Sequence, residues 1–124
     1  MKDNRPKNLE LQTIKFPLPA ITSILHRISG VIVFVGIAIL LFLLAESLSS
    51  EQGFNNVQQW LTAPLVKFVV WGVLAGLLYH LIAGIKHLVM DTGTGESLQG
   101  GINAARLVVI VSAIAIIAAG VWIW

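Results

Sequence analysis

The stretch ISGVIVFVGIAILLFLLA, Ile28 to Ala45, holds 18 consecutive residues without a charge, bracketed by Arg27 and Glu46. Two further runs of the same length follow: Phe68 to Ile85, between Lys67 and Lys86, and Leu107 to Trp124, after Arg106. A bilayer core of ~30 Å needs about 20 largely apolar helical residues, and the flanks of each run supply the remainder. Helices are the required form, because lipid offers no partner to a free backbone N–H or C=O. The spacing therefore predicts an all-α membrane protein with three transmembrane helices. The composition agrees. Of 124 residues, 56% are hydrophobic and only 11% charged, against roughly 25% charged in soluble domains. The 27 residues before the first run are too many for the short charged start of a cleaved signal, so the run is expected to stay in the mature chain.

On the N-terminal side of that run, residues 1–19 are polar and basic and end in Pro17 and Pro19, which predicts an arm on the membrane surface. Pro19 suits the first turn of a helix, where its missing N–H costs little. The chain then reads as one membrane-anchor unit, 1–124. Helix I covers 20–48, an outer connection 49–64, helix II 65–90, a glycine-rich loop 91–103 and helix III 104–124. Phe54, Val57, Trp60 and Leu61 follow helical spacing within the outer connection and predict a short interfacial helix there. Seven Lys and Arg (Lys2, Arg5, Lys7, Lys15, Arg27, Lys86 and Arg106) fall on one side of this topology and only Lys67 on the other. That imbalance predicts a cytoplasmic N-terminus and a periplasmic C-terminus.

The net charge of +2 comes without a basic run, which argues against a nucleic-acid partner. With no cysteine, the chain has no disulfide, thiol nucleophile or iron–sulfur ligand of its own. Asp91-Thr92-Gly93 has the form of the aspartic-protease triplet, but it ends a membrane helix and has no second copy. Gly93-Thr94-Gly95 lacks the strand that a dinucleotide fingerprint requires.

Two constellations remain. His80 lies six residues inside Lys86, about 9 Å of helix rise, and an ionisable group within the bilayer is a functional candidate. Gly72, Gly76, His80 and Gly84 recur every four residues as a slowly drifting stripe. The stripe fits a small-residue helix contact or a flat porphyrin whose iron His80 binds. His80 equally fits a histidine hydrogen-bonded across a helix pair. His87, seven residues on and about 10.5 Å along the same helix, cannot oppose it across one iron. His26 reads as too shallow, so a second axial ligand would come from another subunit. The other constellation is Ser23, His26, Arg27 and Gly30, which share one face of helix I. It fits a basic snorkelling end, or a patch in which Arg27 clamps a carboxylate and Ser23 donates to a carbonyl.

Together these blocks resemble the cytochrome b membrane-anchor subunit family of succinate dehydrogenase, respiratory complex II. The similarity runs from Arg5-Pro6 through Leu9-Glu10-Leu11-Gln12-Thr13 and Phe16-Pro17 to Ser23-Ile24-Leu25-His26-Arg27-Ile28-Ser29-Gly30, where the family has S-x-x-H-R-x-S-G. It continues at His80, Gly84, Lys86, His87, Met90 and Asp91, where the family usually has Arg in place of Lys86. Lys cannot form a bidentate clamp. Lys7 also replaces a usual apolar residue.

The resemblance implies a multi-pass protein of the bacterial inner membrane. It would anchor the flavoprotein and iron–sulfur subunits and carry no succinate chemistry itself. It implies His80 as an axial ligand of one haem b shared with a second membrane-anchor subunit, and His26 and Arg27 as contacts of the haem propionates. Ser23, Ile24 and Arg27 would form part of the ubiquinone site, and Asp91 would lie near a proton route. The alternatives are an anchor of a fumarate reductase running in the opposite direction, and a small transporter or structural anchor without haem. Against a transporter, only helix II carries an ionisable residue at depth, and no internal repeat is present.

Overall fold

The computed structural model describes Gln12 and residues 15–124. Most of the expected surface arm, including Lys2, Arg5, Lys7 and the similarity over 9–13 apart from Gln12, lies outside the described residues. Among the described residues four helices follow in order: α1 (Leu18–Ser49), α2 (Glu51–Trp60), α3 (Pro64–Asp91) and α4 (Leu98–Ile123). Helices α1, α3 and α4 are long and apolar enough to cross a membrane. Their 32, 28 and 26 residues correspond to about 48, 42 and 39 Å.

Local chemistry sets the ends. Pro17 is extended before α1, and Pro19 sits in the first turn. Ser50 ends α1 and caps α2, its Oγ accepting from Gly53 N at 2.9 Å. A side chain at Gly53 would run into the Glu46 carbonyl and Ser49 Oγ, so the tight α1–α2 corner depends on that glycine. Pro64 opens α3. Its far end passes into a turn in which Gly93 and Gly95 adopt φ of +89° and +75°, a region that glycine enters without a Cβ penalty.

The expected loop over 91–103 is too long, because α4 begins at Leu98. Ser97 Oγ accepts from Gly100 N at 3.0 Å, satisfying an otherwise orphaned N–H of the first turn. Gly100 and Gly101, which read as loop formers, are instead helical. A Cβ on Gly100 would lie 2.9 Å from Ser97 Oγ and 3.0 Å from Gly95. Here the glycine permits a close return of the chain onto the helix start.

Helix α3 packs against both α1 and α4, which also touch each other. The start of α1, the end of α3 and the start of α4 share one end of the bundle: Pro19 faces Gly101, and the rings of His26 and His87 are 5.0 Å apart. The contacts use small residues, as expected where lipid is as apolar as the partner helix. Buried positions include Thr22, Ser29 and Gly36 of α1, Val73, Gly76 and Ala83 of α3, and Gly101, Ala105, Val108 and Ser112 of α4. Cross-helix hydrogen bonds satisfy polar groups at depth. Tyr79 Oη donates to the Thr22 carbonyl at 2.7 Å and Trp71 Nε1 to the Ile116 carbonyl at 2.9 Å; His80 bonds α1, as described below. Large apolar side chains such as Phe34 and Trp122 remain exposed, the normal state of a surface that meets lipid or another transmembrane helix.

The α1–α3 spacing hangs on two glycines. A Cβ on Gly36 would stand 2.5 Å from Val73 Cγ1, and one on Gly76 2.8 Å from Ile32 Cγ2. Gly36→Ala is therefore expected to destabilise the bundle by about 1–3 kcal/mol through overpacking, despite alanine's better helix propensity. Adding Val73→Ala should recover part of the loss. Thermal inactivation of the purified assembly checks this: equal midpoints for Gly36→Ala and the unaltered protein would refute the packing argument.

Candidate functional site

The site forms where the first turns of transmembrane α1 face the last three turns of α3. Ser23, His26, Arg27 and Gly30 occupy one stripe of α1, and His80, Gly84 and His87 occupy the facing stripe of α3. An open groove of about 630 Å³ is lined by Ser23, His26, Arg27, His80, Gly84 and His87, with Leu81, Ile85 and Leu88 as its apolar wall. Part of each stripe read from spacing lines this groove: Ser23, His26 and Arg27 from α1, and His80 and Gly84 from α3.

His80 is half-buried, and its two ring nitrogens differ. Nδ1 lies 3.0 Å from the His26 carbonyl and 3.1 Å from Ser29 Oγ. Nε2 has no protein partner among the described residues, and it is not one of the buried unpaired atoms. The cross-helix hydrogen bond expected of His80 is therefore made by Nδ1, and Nε2 takes no part in it.

The His26 ring lies flat on the His80 ring, with centroids 4.1 Å apart and planes 6° from parallel. Such a stack cannot place the two imidazoles on opposite faces of one iron, where their nitrogens would point at each other across about 4 Å. His26 is half-buried and lies level with His80 through this stack. Its Nε2 is buried without a hydrogen-bond partner, which costs about 1–3 kcal/mol unless a bound group completes it.

The glycine stripe divides. Gly76 packs against Ile32, and a Cβ at Gly84 would lie 3.6 Å from His26 Nε2, while a Cβ at Gly72 would meet nothing within 4 Å among the described residues. Gly76 thus serves the helix contact. Gly84 lines the groove, where a Cβ would make only ordinary contact with His26.

The remaining predicted residues are more scattered. Arg27 is exposed and lines the groove. Ile24 is 41% exposed and does not line it. Asp91 is exposed at the end of α3, outside the groove lining. His87 belongs to the site, although its sequence position argued only against axial ligation. Its two-turn spacing from His80 was the signal that placed it on the same face.

The residues fit a haem. One imidazole offers a free Nε2 while its Nδ1 is held by α1. A buried nitrogen, a guanidinium and a second imidazole stand along the same groove for carboxylate groups. Among the described residues no three His, Cys, Asp or Glu side chains are placed to hold a metal ion between them.

The model of the family "Succinate dehydrogenase/Fumarate reductase transmembrane subunit" matches residues 1–119. A succinate dehydrogenase cytochrome b556 subunit of Coxiella burnetii is 44% identical over 100% of both chains. The subunit of that name from Paracoccus denitrificans is 34% identical over 79% of this chain and 75% of its own. A mitochondrial cytochrome b560 subunit of Sus scrofa is 30% identical over 88% of this chain and 68% of its own. The bacterial relatives and the three apolar spans mark a multi-pass protein of the inner membrane. The chain belongs to the succinate dehydrogenase/fumarate reductase transmembrane subunit family, as a membrane anchor of the succinate dehydrogenase cytochrome b type.

Proposed function

We propose that His80 Nε2 is one axial ligand of a haem b shared with a second membrane-anchor subunit, and that the same end of the bundle forms part of a ubiquinone reduction site. The observation that carries this is the division of labour on His80: Nδ1 is tied to α1, while Nε2 is left for a groove lined by His26, Arg27 and His87. A haem bound there supplies a reversible one-electron store within the membrane. The second axial ligand comes from the other anchor, since neither His26, stacked on His80, nor His87, two turns away, opposes it.

His26 and Arg27 bind the propionates, and His87, its ring centroid 5.0 Å from that of His26, adds a third donor. Lys86 contributes charge near this end without bidentate geometry. Ser23 donates to one quinone carbonyl. Arg27 stabilises the negative charge that develops on quinone oxygen. Ile24, exposed beside Ser23, provides an apolar wall on the side that meets a partner. Asp91, exposed at the end of α3, lies on the water side of a proton route.

The basic end faces the cytoplasm, and there the flavoprotein and iron–sulfur subunits dock. Succinate oxidation belongs to the flavoprotein. The named relatives favour succinate oxidation over fumarate reduction as the working direction.

Purification of the complex through a tag on this chain tests the reading. Co-elution of the flavoprotein and iron–sulfur subunits, with a b-type band in the reduced-minus-oxidised spectrum, is expected. A complete complex without that band would overturn the haem assignment.

A further inference from the structure

We infer that Ser29 is a positioning residue for the haem ligand: its hydroxyl, with the His26 carbonyl, holds the His80 imidazole in the tautomer protonated at Nδ1 and strengthens Nε2 as a donor to iron. This rests on the assignment of His80 as an axial ligand. Three contacts form a closed triangle. Ser29 Oγ donates to the His26 carbonyl at 2.7 Å. The same Oγ is 3.1 Å from His80 Nδ1, and the same carbonyl is 3.0 Å from it.

Donor counting then fixes the tautomer. A carbonyl only accepts, and a serine has one hydrogen. With that hydrogen given to the carbonyl at the shortest of the three distances, both oxygens turn lone pairs toward Nδ1. An Nδ1–H satisfies both, whereas a bare Nδ1 would set lone pair against lone pair. The ring's remaining lone pair is therefore on Nε2, the form in which histidine ligates a metal. Ser29 is 4% exposed, so no bulk solvent competes for the triangle.

The neighbouring atoms hold the ring in place around this bond. His26 stacks on one face. A Cβ on Gly30 would stand 3.1 Å from His80 Cε1, so glycine at that position lets the imidazole seat against α1. The segment 26–30 thus supplies a stacked ring, a carbonyl, a hydroxyl and a bare backbone to one side chain of α3.

The consequence is electronic as well as steric. An acceptor on Nδ1–H makes the opposite nitrogen more basic, which favours the oxidised metal. A hydroxyl that is itself donating is a more strongly polarised acceptor. Removing it leaves Nδ1–H with one acceptor in place of two.

The test is a redox titration of the haem in the intact purified complex, together with the low-temperature EPR of its oxidised form. Ser29→Ala is expected to retain haem, with a midpoint potential above that of the unaltered complex and a shifted low-spin EPR signal. Ser29→Thr, which keeps the hydroxyl, should restore both. An unchanged or lowered potential in Ser29→Ala with full haem content would overturn the inference. If Ser29→Ala assembles without haem, Ser29→Cys decides instead: its weak acceptor predicts a potential raised above the unaltered one, and a potential equal to it refutes the proposal. Absence of a haem band in the unaltered complex would remove the axial-ligand assignment itself, a result distinct from an unshifted Ser29→Ala.

Discussion

His80→Ala is expected to eliminate the b-type band from the reduced-minus-oxidised spectrum of the purified complex, with near-complete loss of bound haem. The size of the effect follows from the count of ligands. On the proposed assignment the iron ligand of this chain is His80 Nε2, and the neighbouring imidazoles are oriented differently: His26 lies flat on His80, and His87 is tilted 54° to His26 at 5.0 Å between ring centroids. His26→Ala and His87→Ala are expected to weaken haem retention while preserving the band, because each removes a contact to a carboxylate and leaves the iron ligand intact. A full band in His80→Ala would assign the iron to another residue. Assembly is read separately, by recovery of all subunits with the tagged chain. Loss of the band together with loss of the subunits would report misfolding, in which case His80→Met, a ligand of similar reach, distinguishes the two.

The second large effect is at the quinone. Arg27→Leu should lower quinone reduction by about 10²–10³-fold, the range found when a charged or oriented donor to a developing oxyanion is removed. Ser23→Ala should cost roughly fivefold, in line with one hydrogen bond of about 1 kcal/mol. Succinate oxidation with an artificial acceptor, which takes electrons before the membrane anchor, should remain near the unaltered rate in both. Arg27→Lys should fall between them, since a point charge replaces the planar fork. Steady-state assays with the two acceptors check this directly. Equal loss with both acceptors would point to failed assembly, and unaltered quinone reduction in Arg27→Leu would place the quinone elsewhere.

Both predictions rest on residues that could be chosen from the chain before any packing was known. His80 stands out because it is an imidazole well inside an uncharged run. Ser23, His26 and Arg27 stand out because i, i+3 and i+4 share a helix face. What spacing could not express is the relation between the two faces. His26 read as a shallow surface residue, yet it stacks on His80 and leaves one nitrogen buried and unpaired. That result depends on the register of α1 against α3, which is set by Gly36 against Val73 and Gly76 against Ile32.

The glycines also carried two meanings that sequence could not separate. Gly76 closes a helix contact and Gly84 lines the groove, although both belong to one four-residue period. Gly100 and Gly101 read as loop and are helix, because Ser97 caps the turn that contains them. Ser29 was legible as part of S-x-x-H-R-x-S-G, but its bond to a residue 51 positions away exists only once the helices are paired.

Three membrane crossings, and the short set of side chains able to do chemistry within them, were written in the order of residues. The reason is that lipid demands uncharged helices of a set length, and any polar exception is conspicuous against them. Which nitrogen of His80 is held and which is free, and which histidine lies flat against it, became visible only with the helices packed. Those outcomes turn on distances of about 3 Å between two helices, set by how closely their small residues allow the backbones to approach.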